Sequence, residues 1–301
     1  DICYEVTQDG LSVQKGKVVG ASAAPHSDCT VGLDIDVPTA GRVYLKLSYQ
    51  LKKELPLVSA GHVLGFDELL LENKDGRNQT AAKWTASDVE VSDIRVEEDD
   101  AWIVLNGDGF TYRLDKRTGL FSGLQYAGRE YLNHPMELNI WRAPTDNDMY
   151  IRAEWEKAHY DEAYTRAYSE QILQNKFGVM IMCHAGVVAP TVQKLIDVEI
   201  MWKIDGAGRI AAGITAVKDE ELPDLPRFGI RMFLDKKLSE AAYYGMGPQE
   251  SYRDKHRAAS HGLFRSSVQE LHEDYIMPQE NGSHYDCDYV ELTNQRYGMA
   301  V

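Results

Sequence analysis

The sequence is poor in the features that mark metal-binding, membrane-spanning or nucleic-acid-binding proteins. Its 301 residues contain only four cysteines, Cys3, Cys29, Cys183 and Cys287, and no CxxC pair, which argues against structural zinc. No apolar run approaches the roughly 20 residues that a membrane-spanning helix needs. Positive charge is scarce, because 32 Lys and Arg face 47 Asp and Glu for a net charge of -15. We therefore expect neither nucleic acid nor an anionic membrane as a partner.

Three further absences concern catalysis and targeting. The sequence has no Gly-x-Ser-x-Gly elbow and no Walker loop, which removes the commonest hydrolase and nucleotide-binding interpretations. The first ten residues, DICYEVTQDG, alternate like a strand and lack the basic and apolar regions of a signal peptide. Because the chain opens in mid-strand without an initiating Met, we interpret it as a fragment. The compartment of its parent is thus unknown, with the cytoplasm favoured and a secreted or periplasmic parent left open.

The cysteines allow two states. Cys3 and Cys29 would pair across a small sandwich in an oxidising compartment, whereas four reduced thiols are expected elsewhere. We favour the reduced state.

What the chain does have is an alternation of apolar and polar residues, which is typical of β-strands. Residues 1–72 show it at Ile2–Val6, Val31–Val37 and Val43–Leu51, with turn-forming residues between them. Short strands at this spacing predict an immunoglobulin-like sandwich, with too few strands to be complete. Residues 73–87 lose the alternation and gain Gly, Asn, Thr and Lys, which predicts a linker.

The alternation resumes over residues 88–301 and predicts an all-β domain. Strands are expected at Val89–Val96, Trp102–Leu105, Phe110–Leu114, Leu120–Tyr126, Gln171–Ala189, Lys194–Ile204, Arg209–Val217, Arg227–Leu234 and Glu240–Tyr244. One helix is predicted over Ile151–Tyr164, where Trp155, Ala158 and His159 share a face. So much antiparallel strand with so little helix predicts a large sandwich.

One stretch, NIWRAPTDND over residues 139–148, concentrates polar and aromatic chemistry. Pro144 fixes its own φ and keeps Ala143 out of the helical region, so the preceding strand should end in a rigid bend. The residues after the bend carry short polar side chains, and Arg142 adds a fork of donors. Two interpretations stay open: a turn that caps the following helix, or a polar group that binds sugar hydroxyls.

Three motifs together resemble one family. NIWRAPTDND, GMGPQESYRD at 245–254 and MPQENG at 277–282 are similar to the C-terminal region of the glycoside hydrolase family 2 β-galactosidases. The resemblance covers about residue 88 to the end, and residues 1–72 are more weakly similar to the immunoglobulin-like domain that precedes this region. It implies that residues 88–301 form the supersandwich of the galactose-mutarotase-like type, with one broad concave face and a truncated C-terminus.

The resemblance also implies a function. Family members hydrolyse terminal β-D-galactosides by a retaining mechanism, which needs two carboxylates roughly 5 to 5.5 Å apart. In the family these glutamates lie on a (β/α)8 barrel, and this sequence has no alternating strand and helix pattern. We therefore expect no catalytic residue in this chain. The implied partners are the barrel domain or large subunit, the galactoside substrate through the parent enzyme, and further copies of the parent in a homo-oligomer.

No metal or other cofactor is expected in this chain, since the Mg or Na of the family belongs to the barrel region. Folding would instead bring polar residues of the three motifs together on the concave face: Trp141, Arg142, Asp146, Asn147, Asp148, Glu250, Tyr252, Asp254, Glu280, Asn281 and His284. Such a cluster would be either an ion-pair network that fixes loops, with Arg142 bound to Glu250 or Glu280, or a carbohydrate-contact surface. Catalysis by these residues is the least favoured interpretation.

Two details carry alternatives of their own. His284, Cys287 and the flanking aspartates suggest a metal site, but a plain strand is favoured because its side chains would diverge. The family usually has Arg near His284, so a ligand contact there does not carry over. Gly245 and Gly247 do not complete a dinucleotide fingerprint and are interpreted as positions of close backbone approach or unusual dihedrals.

Two functions other than an enzyme's accessory region are kept. A stand-alone carbohydrate-binding or aldose-mutarotase-like protein would use Glu250 or Glu280 with His284 as acid and base. A pure assembly scaffold would bind no sugar.

Overall fold

A computed structural model describes residues 1–85, 93–191 and 194–301. The first nine strands are β1 (Ile2–Gln8), β2 (Leu11–Lys17), β3 (Val43–Gln50), β4 (Val63–Leu70), β5 (Arg95–Glu98), β6 (Trp102–Gly107), β7 (Phe110–Asp115), β8 (Leu120–Tyr126) and β9 (Arg129–Glu130). The remaining strands are β10 (Leu132–Asn139), β11 (Tyr164–Asn175), β12 (Gly178–Val188), β13 (Ile196–Asp205), β14 (Ile210–Lys218), β15 (Gly229–Leu234), β16 (Glu240–Gly247), β17 (Ser260–Ser267), β18 (Tyr289–Thr293) and β19 (Gly298–Ala300). The helices are α1 (Gln79–Thr85) and α2 (Arg152–Lys157), and 3-10 turns span Asp146–Asp148, Tyr160–Glu162 and Val268–Leu271. The predicted all-β class is confirmed.

The chain folds into two compact units. Unit 1 comprises Asp1–Ala86, Leu238–Asp274 and Asn281–Val301, and unit 2 comprises Ser87–Lys237 and Tyr275–Glu280. The domain boundaries expected from the sequence stay predictions, as do the immunoglobulin-like and supersandwich assignments. The predicted strand residues Val89 and Val91 lie outside the described residues. The predicted linker contains α1, whose first turn is capped by Asn78.

Unit 1 contains two antiparallel sheets. The N-terminal sheet has the order β2-β1-β3-β4 and buries Val6, Val43 and Leu45. The prediction of a strand over residues 31–37 is wrong, because these residues are irregular in the structure. Its alternation has another cause: Leu33 and Ile35 pack against the buried residues of the sheet.

The second sheet of unit 1, here called the C-terminal sheet, has the order β17-β16-β18-β19. Its central strand β16 is continuously buried over Ala241, Ala242, Tyr243 and Tyr244. A strand buried on both faces reads as an apolar run without alternation, which explains the sequence of β16.

Unit 2 contains a five-stranded sheet β5-β6-β7-β8-β9, a four-stranded sheet β11-β12-β13-β14 and the pair β10-β15. Alternate residues of β13 are buried, and Trp202 among them donates from Nε1 to the Gly119 carbonyl at 2.8 Å. Phe121 meets the Trp202 ring edge to face at 4.9 Å. This aromatic contact and hydrogen bond join two elements far apart in the sequence into one core.

Two predicted elements of unit 2 need correction. The strand expected over residues 171–189 belongs to two strands, because β11 and β12 form a hairpin across Lys176-Phe177. The helix expected over residues 151–164 ends early: α2 stops at Lys157, and His159 has a φ of 57°. A left-handed residue cannot continue an α-helix, so only a 3-10 turn follows.

Within the described ranges, no helix is long and apolar enough to cross a membrane.

Candidate functional site

The first cluster lies in unit 2, in the turn that follows β10. Asn139 ends the strand, and its side chain donates to the Trp141 carbonyl at 2.9 Å and accepts from the Trp141 amide at 3.2 Å. This local bonding competes with strand pairing and ends β10 before Trp141. Pro144 then adds its rigid φ, and the 3-10 turn begins two residues later.

Arg142 and Asp148 hold this turn together. Arg142 donates from Nε to Asp148 Oδ2 at 3.1 Å and from Nη2 to Asp148 Oδ1 at 2.6 Å. Thr145 adds its amide at 2.8 Å and its hydroxyl at 3.1 Å, both to Asp148 Oδ2. Four donors therefore satisfy one carboxylate, whose residue is only 5% exposed.

Burial would raise the pKa of Asp148, but the hydrogen bonds of Arg142 and Thr145 outweigh it and hold that pKa below the ordinary value. The sequence suggested Glu250 or Glu280 as the partner of Arg142, and the structure corrects this to Asp148. A partner six residues away closes only a short loop, so this pairing costs little chain entropy.

The other predicted residues of this motif face outward. Trp141 is half-buried and meets Trp155 edge to face at 6.2 Å. Asp146 and Asn147 are exposed, and within the described ranges their side chains make no hydrogen bond or ion pair. These two side chains are therefore open to a ligand.

Residues 275–280 lie beside this turn in the same unit. The Glu280 amide donates to the Ala143 carbonyl at 3.0 Å, and the Asp146 amide donates to Gln279 Oε1 at 3.2 Å. The Glu280 carboxylate pairs with the Arg227 guanidinium. Motif residues 139–148 and 279–280 are thus brought together by hydrogen bonds from backbone amides, while Asp148 and Glu280 each pair with a different arginine.

The second cluster lies in unit 1, after β16. Glu250 has a side chain only 6% exposed and accepts from Lys255 Nζ at 2.5 Å. Its Oε2 also accepts from the Gly282 amide at 3.0 Å and from the Tyr252 hydroxyl at 3.4 Å. The amide at Gly282 ties the third motif to the second. Asp254, at the end of the same sequence motif as Glu250, is exposed.

Ser251 was missed by sequence reasoning, although it is fully buried. Its amide donates to the Ser283 carbonyl at 2.7 Å, and its hydroxyl donates to Met246 O at 3.2 Å and accepts from the Tyr285 amide at 2.9 Å. A serine inside a polar motif gives no sign of burial, so no signal in the sequence could have identified it. Asn281 is likewise structural, because its Oδ1 accepts from the Glu273 amide at 3.2 Å.

His284 packs on Tyr243 with the ring centroids 4.1 Å apart. Burial lowers the pKa of His284, and the contact of Nδ1 with Met246 O at 3.4 Å offsets only part of this. Burial therefore favours the neutral ring, in the tautomer whose Nδ1–H faces the Met246 carbonyl. Its Nε2 is buried and has no partner among the described residues.

The prediction of a plain strand around His284 is wrong, since residues 281–288 form a loop and β18 begins at Tyr289. Asp286 has a φ of 50°, which an extended strand does not allow. Within the described part of the chain, no group of three or more His, Cys, Asp or Glu could hold a metal ion.

Gly245 and Gly247 are positions of close approach. A Cβ on Gly245 would lie 2.3 Å from Cys287 Sγ, and one on Gly247 would lie 2.4 Å from the Tyr243 hydroxyl. The interpretation of these glycines as close backbone approaches is confirmed.

In both clusters the carboxylates with low exposure are ion-paired. Asp148 forms an ion pair with Arg142, Glu280 with Arg227, and Glu250 with Lys255. Each of these pairs ties its carboxylate to another residue of the same unit, and for Asp148 the hydrogen bonds also hold the pKa below the ordinary value. The fold and the clusters together define an all-β chain whose polar motifs are held by ion pairs.

Comparison with known proteins identifies the family to which the chain is similar. A family model described as "Beta galactosidase small chain" matches residues 106–301, and one described as "Beta-galactosidase, domain 4" matches residues 1–72. A protein named Beta-galactosidase from Actinobacillus pleuropneumoniae is 38% identical over 97% of this chain and 29% of its own length. The proteins of the same name from Staphylococcus xylosus and Pseudoalteromonas haloplanktis are 28% and 26% identical over 90% and 97% of this chain, covering 27% and 29% of their lengths.

The chain belongs to the β-galactosidase small-chain family and corresponds to the C-terminal region of a β-galactosidase. The resemblance drawn from the three motifs is confirmed. The chain spans less than a third of the length of these relatives.

Proposed function

We propose that this chain is the C-terminal accessory portion of a β-galactosidase that hydrolyses terminal β-D-galactosides with retention. The single observation that carries the proposal is the small-chain family match over residues 106–301. The chain supplies active-site shape, carbohydrate contact and assembly, and the bond-making carboxylates lie on the (β/α)8 barrel of the parent or on its large subunit.

The two ion-paired clusters support a shaping role. The Arg142–Asp148 pair and the Glu250–Lys255 pair fix loops that are also tied to the third motif. The Glu280 amide bonds the Ala143 carbonyl, and the Gly282 amide bonds the Glu250 carboxylate. Rigid loops at a pocket wall hold a substrate in one orientation and exclude water, both of which accelerate a reaction without a covalent contribution.

Asp146 and Asn147 support carbohydrate contact. Both side chains are exposed on a turn that Pro144 and the Arg142–Asp148 pair hold rigid. Carboxylate and amide groups bind sugar hydroxyls, and a half-buried indole such as Trp141 offers an apolar face to a sugar ring.

Exposed apolar residues of unit 2 support a contact with the barrel or with another copy of the parent. Met149 and Tyr150 are 66% and 85% exposed, and Ile276 and Met277 are 100% and 68% exposed. Large apolar side chains at such exposure are typical of surfaces that a partner covers.

Complementation tests the proposal. The remaining N-terminal portion of the parent is purified, and release of nitrophenol from a nitrophenyl β-galactoside is measured with and without the 301-residue chain. We expect no release by either part alone and recovery of turnover on mixing. Full turnover by the N-terminal portion alone would refute the proposal.

Two controls locate the active site and the sugar contact. Glu250→Gln and Glu280→Gln should leave the chain alone as inactive as before, whereas release by the chain that either variant abolishes would place catalysis here. An Asp146→Ala/Asn147→Ala double variant should still complement, because the two substitutions leave the bonds of Thr145 to Asp148 intact. Its KM should be raised, because two sugar-contacting side chains are lost.

A further inference from the structure

The two sheets of unit 1 are joined along strand β17. Lys46 of β3 donates from Nζ to Ser260 Oγ of β17 at 2.8 Å. At the β1–β2 turn, a Cβ on Gly10 would lie 2.4 Å from the Leu263 amide nitrogen of β17. The N-terminal sheet and the C-terminal sheet therefore meet along β17, at almost backbone-to-backbone distance.

His261, at the centre of this junction, is bonded on both sides of its ring. Its Nδ1 lies 2.7 Å from Glu68 Oε1 of β4, and its Nε2 lies 2.9 Å from Asp286 Oδ2, in the loop before β18. The His261 amide also donates to both oxygens of Glu68, at 3.1 and 3.0 Å. The ring stacks on Tyr44 of β3 with centroids 4.2 Å apart and planes within 8°.

This geometry selects one protonation state. A neutral imidazole has one N–H and can donate to only one carboxylate, whereas the imidazolium donates from both nitrogens. The side chains of His261 and Glu68 are only 8% and 10% exposed, so water does not easily replace the bond between them, whereas the Asp286 side chain is 50% exposed. With a neutral ring, one carboxylate would face a nitrogen lone pair.

The surrounding charges reinforce the need for the imidazolium. Arg42 lies 3.6 Å from Asp286 Oδ2 and 3.5 Å from Asp288 Oδ1, and it donates to the Tyr44 hydroxyl at 3.0 Å. Asp288 Oδ2 is buried with no partner among the described residues. The other ionisable groups around the junction are Lys46, Asp9 and Tyr244. When His261 is neutral, Arg42 remains as a cation beside Asp286 and Asp288.

We propose that His261 is a pH-sensitive latch, which as an imidazolium bonds the N-terminal sheet to the C-terminal sheet and on deprotonation lets this junction loosen. The latch acts on the relative position of two parts of unit 1 and is independent of the proposed galactosidase role.

The direction of the pH dependence follows from the opposing influences of burial and of the two carboxylates on the pKa of His261. Burial lowers the pKa of His261, but the hydrogen bonds and charges of Glu68 and Asp286 together outweigh burial and raise that pKa above the ordinary value of 6.5. A group with a raised folded pKa contributes stability that is complete below its unfolded pKa and is lost as the pH rises through the folded pKa. The junction should therefore be tightest in mild acid and loosen above neutrality.

Hydrogen exchange of the 301-residue chain tests the latch. Protection of β4 and of the His261 amide is measured from about pH 6 to about pH 8.5, corrected for the intrinsic rate, with β13 of unit 2 as an internal reference. We expect protection at the junction to fall by up to about tenfold for each unit that separates the folded and unfolded pKa values. Protection in β13 should stay constant.

Three variants make the test specific. His261→Gln should lose the pH dependence, and Asp286→Asn, at a half-exposed position, should fold and move the midpoint to lower pH. His184→Gln is the matched control, because His184 also bonds a carboxylate, Asp197 at 3.0 Å, but lies in unit 2. Its junction profile should equal that of the unmodified chain.

The latch is overturned if junction protection in the unmodified chain does not change with pH. It is also overturned if Asp286→Asn gives a profile that superimposes on that of the unmodified chain, whatever the folding of His261→Gln.

Discussion

Removal of Arg142 is the sharpest test of whether the polar turn after β10 is a structural network. Arg142→Ala takes away two of the four donors to Asp148, at 3.1 and 2.6 Å, and leaves a nearly buried carboxylate with only Thr145. Breaking a buried pair on one side costs about 3 to 5 kcal/mol. Because the Arg142 side chain is 21% exposed, water recovers part of this, and we expect a loss of about 2 to 3 kcal/mol.

The assay is a double-mutant cycle in urea, followed by tryptophan fluorescence, with Arg142→Ala, Asp148→Ala and the double variant. The expected coupling is about 1 to 3 kcal/mol near pH 7. Asp148 has a lowered folded pKa, so the coupling is present above the ordinary carboxyl pKa and lost as the pH falls through the folded value.

A coupling within about 0.3 kcal/mol of zero would refute this reasoning. Arg142 would then be held in place by something other than Asp148. A saccharide-induced change in tryptophan fluorescence that disappears in Arg142→Ala would in that case assign it to sugar contact.

Three further predictions concern packing and capping. Gly245→Ala should destabilise unit 1 by about 1 to 3 kcal/mol in urea unfolding, because its Cβ would meet Cys287, whereas Gly65→Ala, with nothing within 4 Å, should change little. Asn78→Ala should cost about 0.5 to 2 kcal/mol through loss of the cap on α1, and Asn78→Asp, which keeps the acceptor, should retain thermal stability. Trp202→Phe should lower the free energy of unfolding of unit 2 by about 1 to 3 kcal/mol, because the Gly119 carbonyl loses its donor; an unchanged urea midpoint would contradict this.

The elements that the sequence predicts correctly are those that depend on one local signal. Alternation at a period of two predicts strands, and most predicted strands overlap observed ones. The prediction failed where alternation had another cause: Leu33 and Ile35 pack on the core from a segment, residues 31–37, that is irregular. Side-chain periodicity reports which face is buried and carries no information on where the backbone hydrogen bonds go.

The candidate site divides in the same way. The polar character of the motifs and the close approach at Gly245 could be predicted. Clustered carboxylates are visible in the sequence, and glycine is typical of positions where a side chain would not fit. The partner of Arg142, the burial of Ser251 and the loop at His284 could not, since each depends on which segments pack together.

The all-β class and the family can be predicted from the amino-acid sequence alone, because strand periodicity and the three motifs are properties of short stretches. Which charges meet depends on how distant segments pack. Glu68 and His261 are separated by 193 residues, and nothing local to either one indicates the other. An ion pair, or an imidazole hydrogen-bonded through both ring nitrogens, forms when packing removes water around groups that lie close together. The fold therefore determines which residues take part.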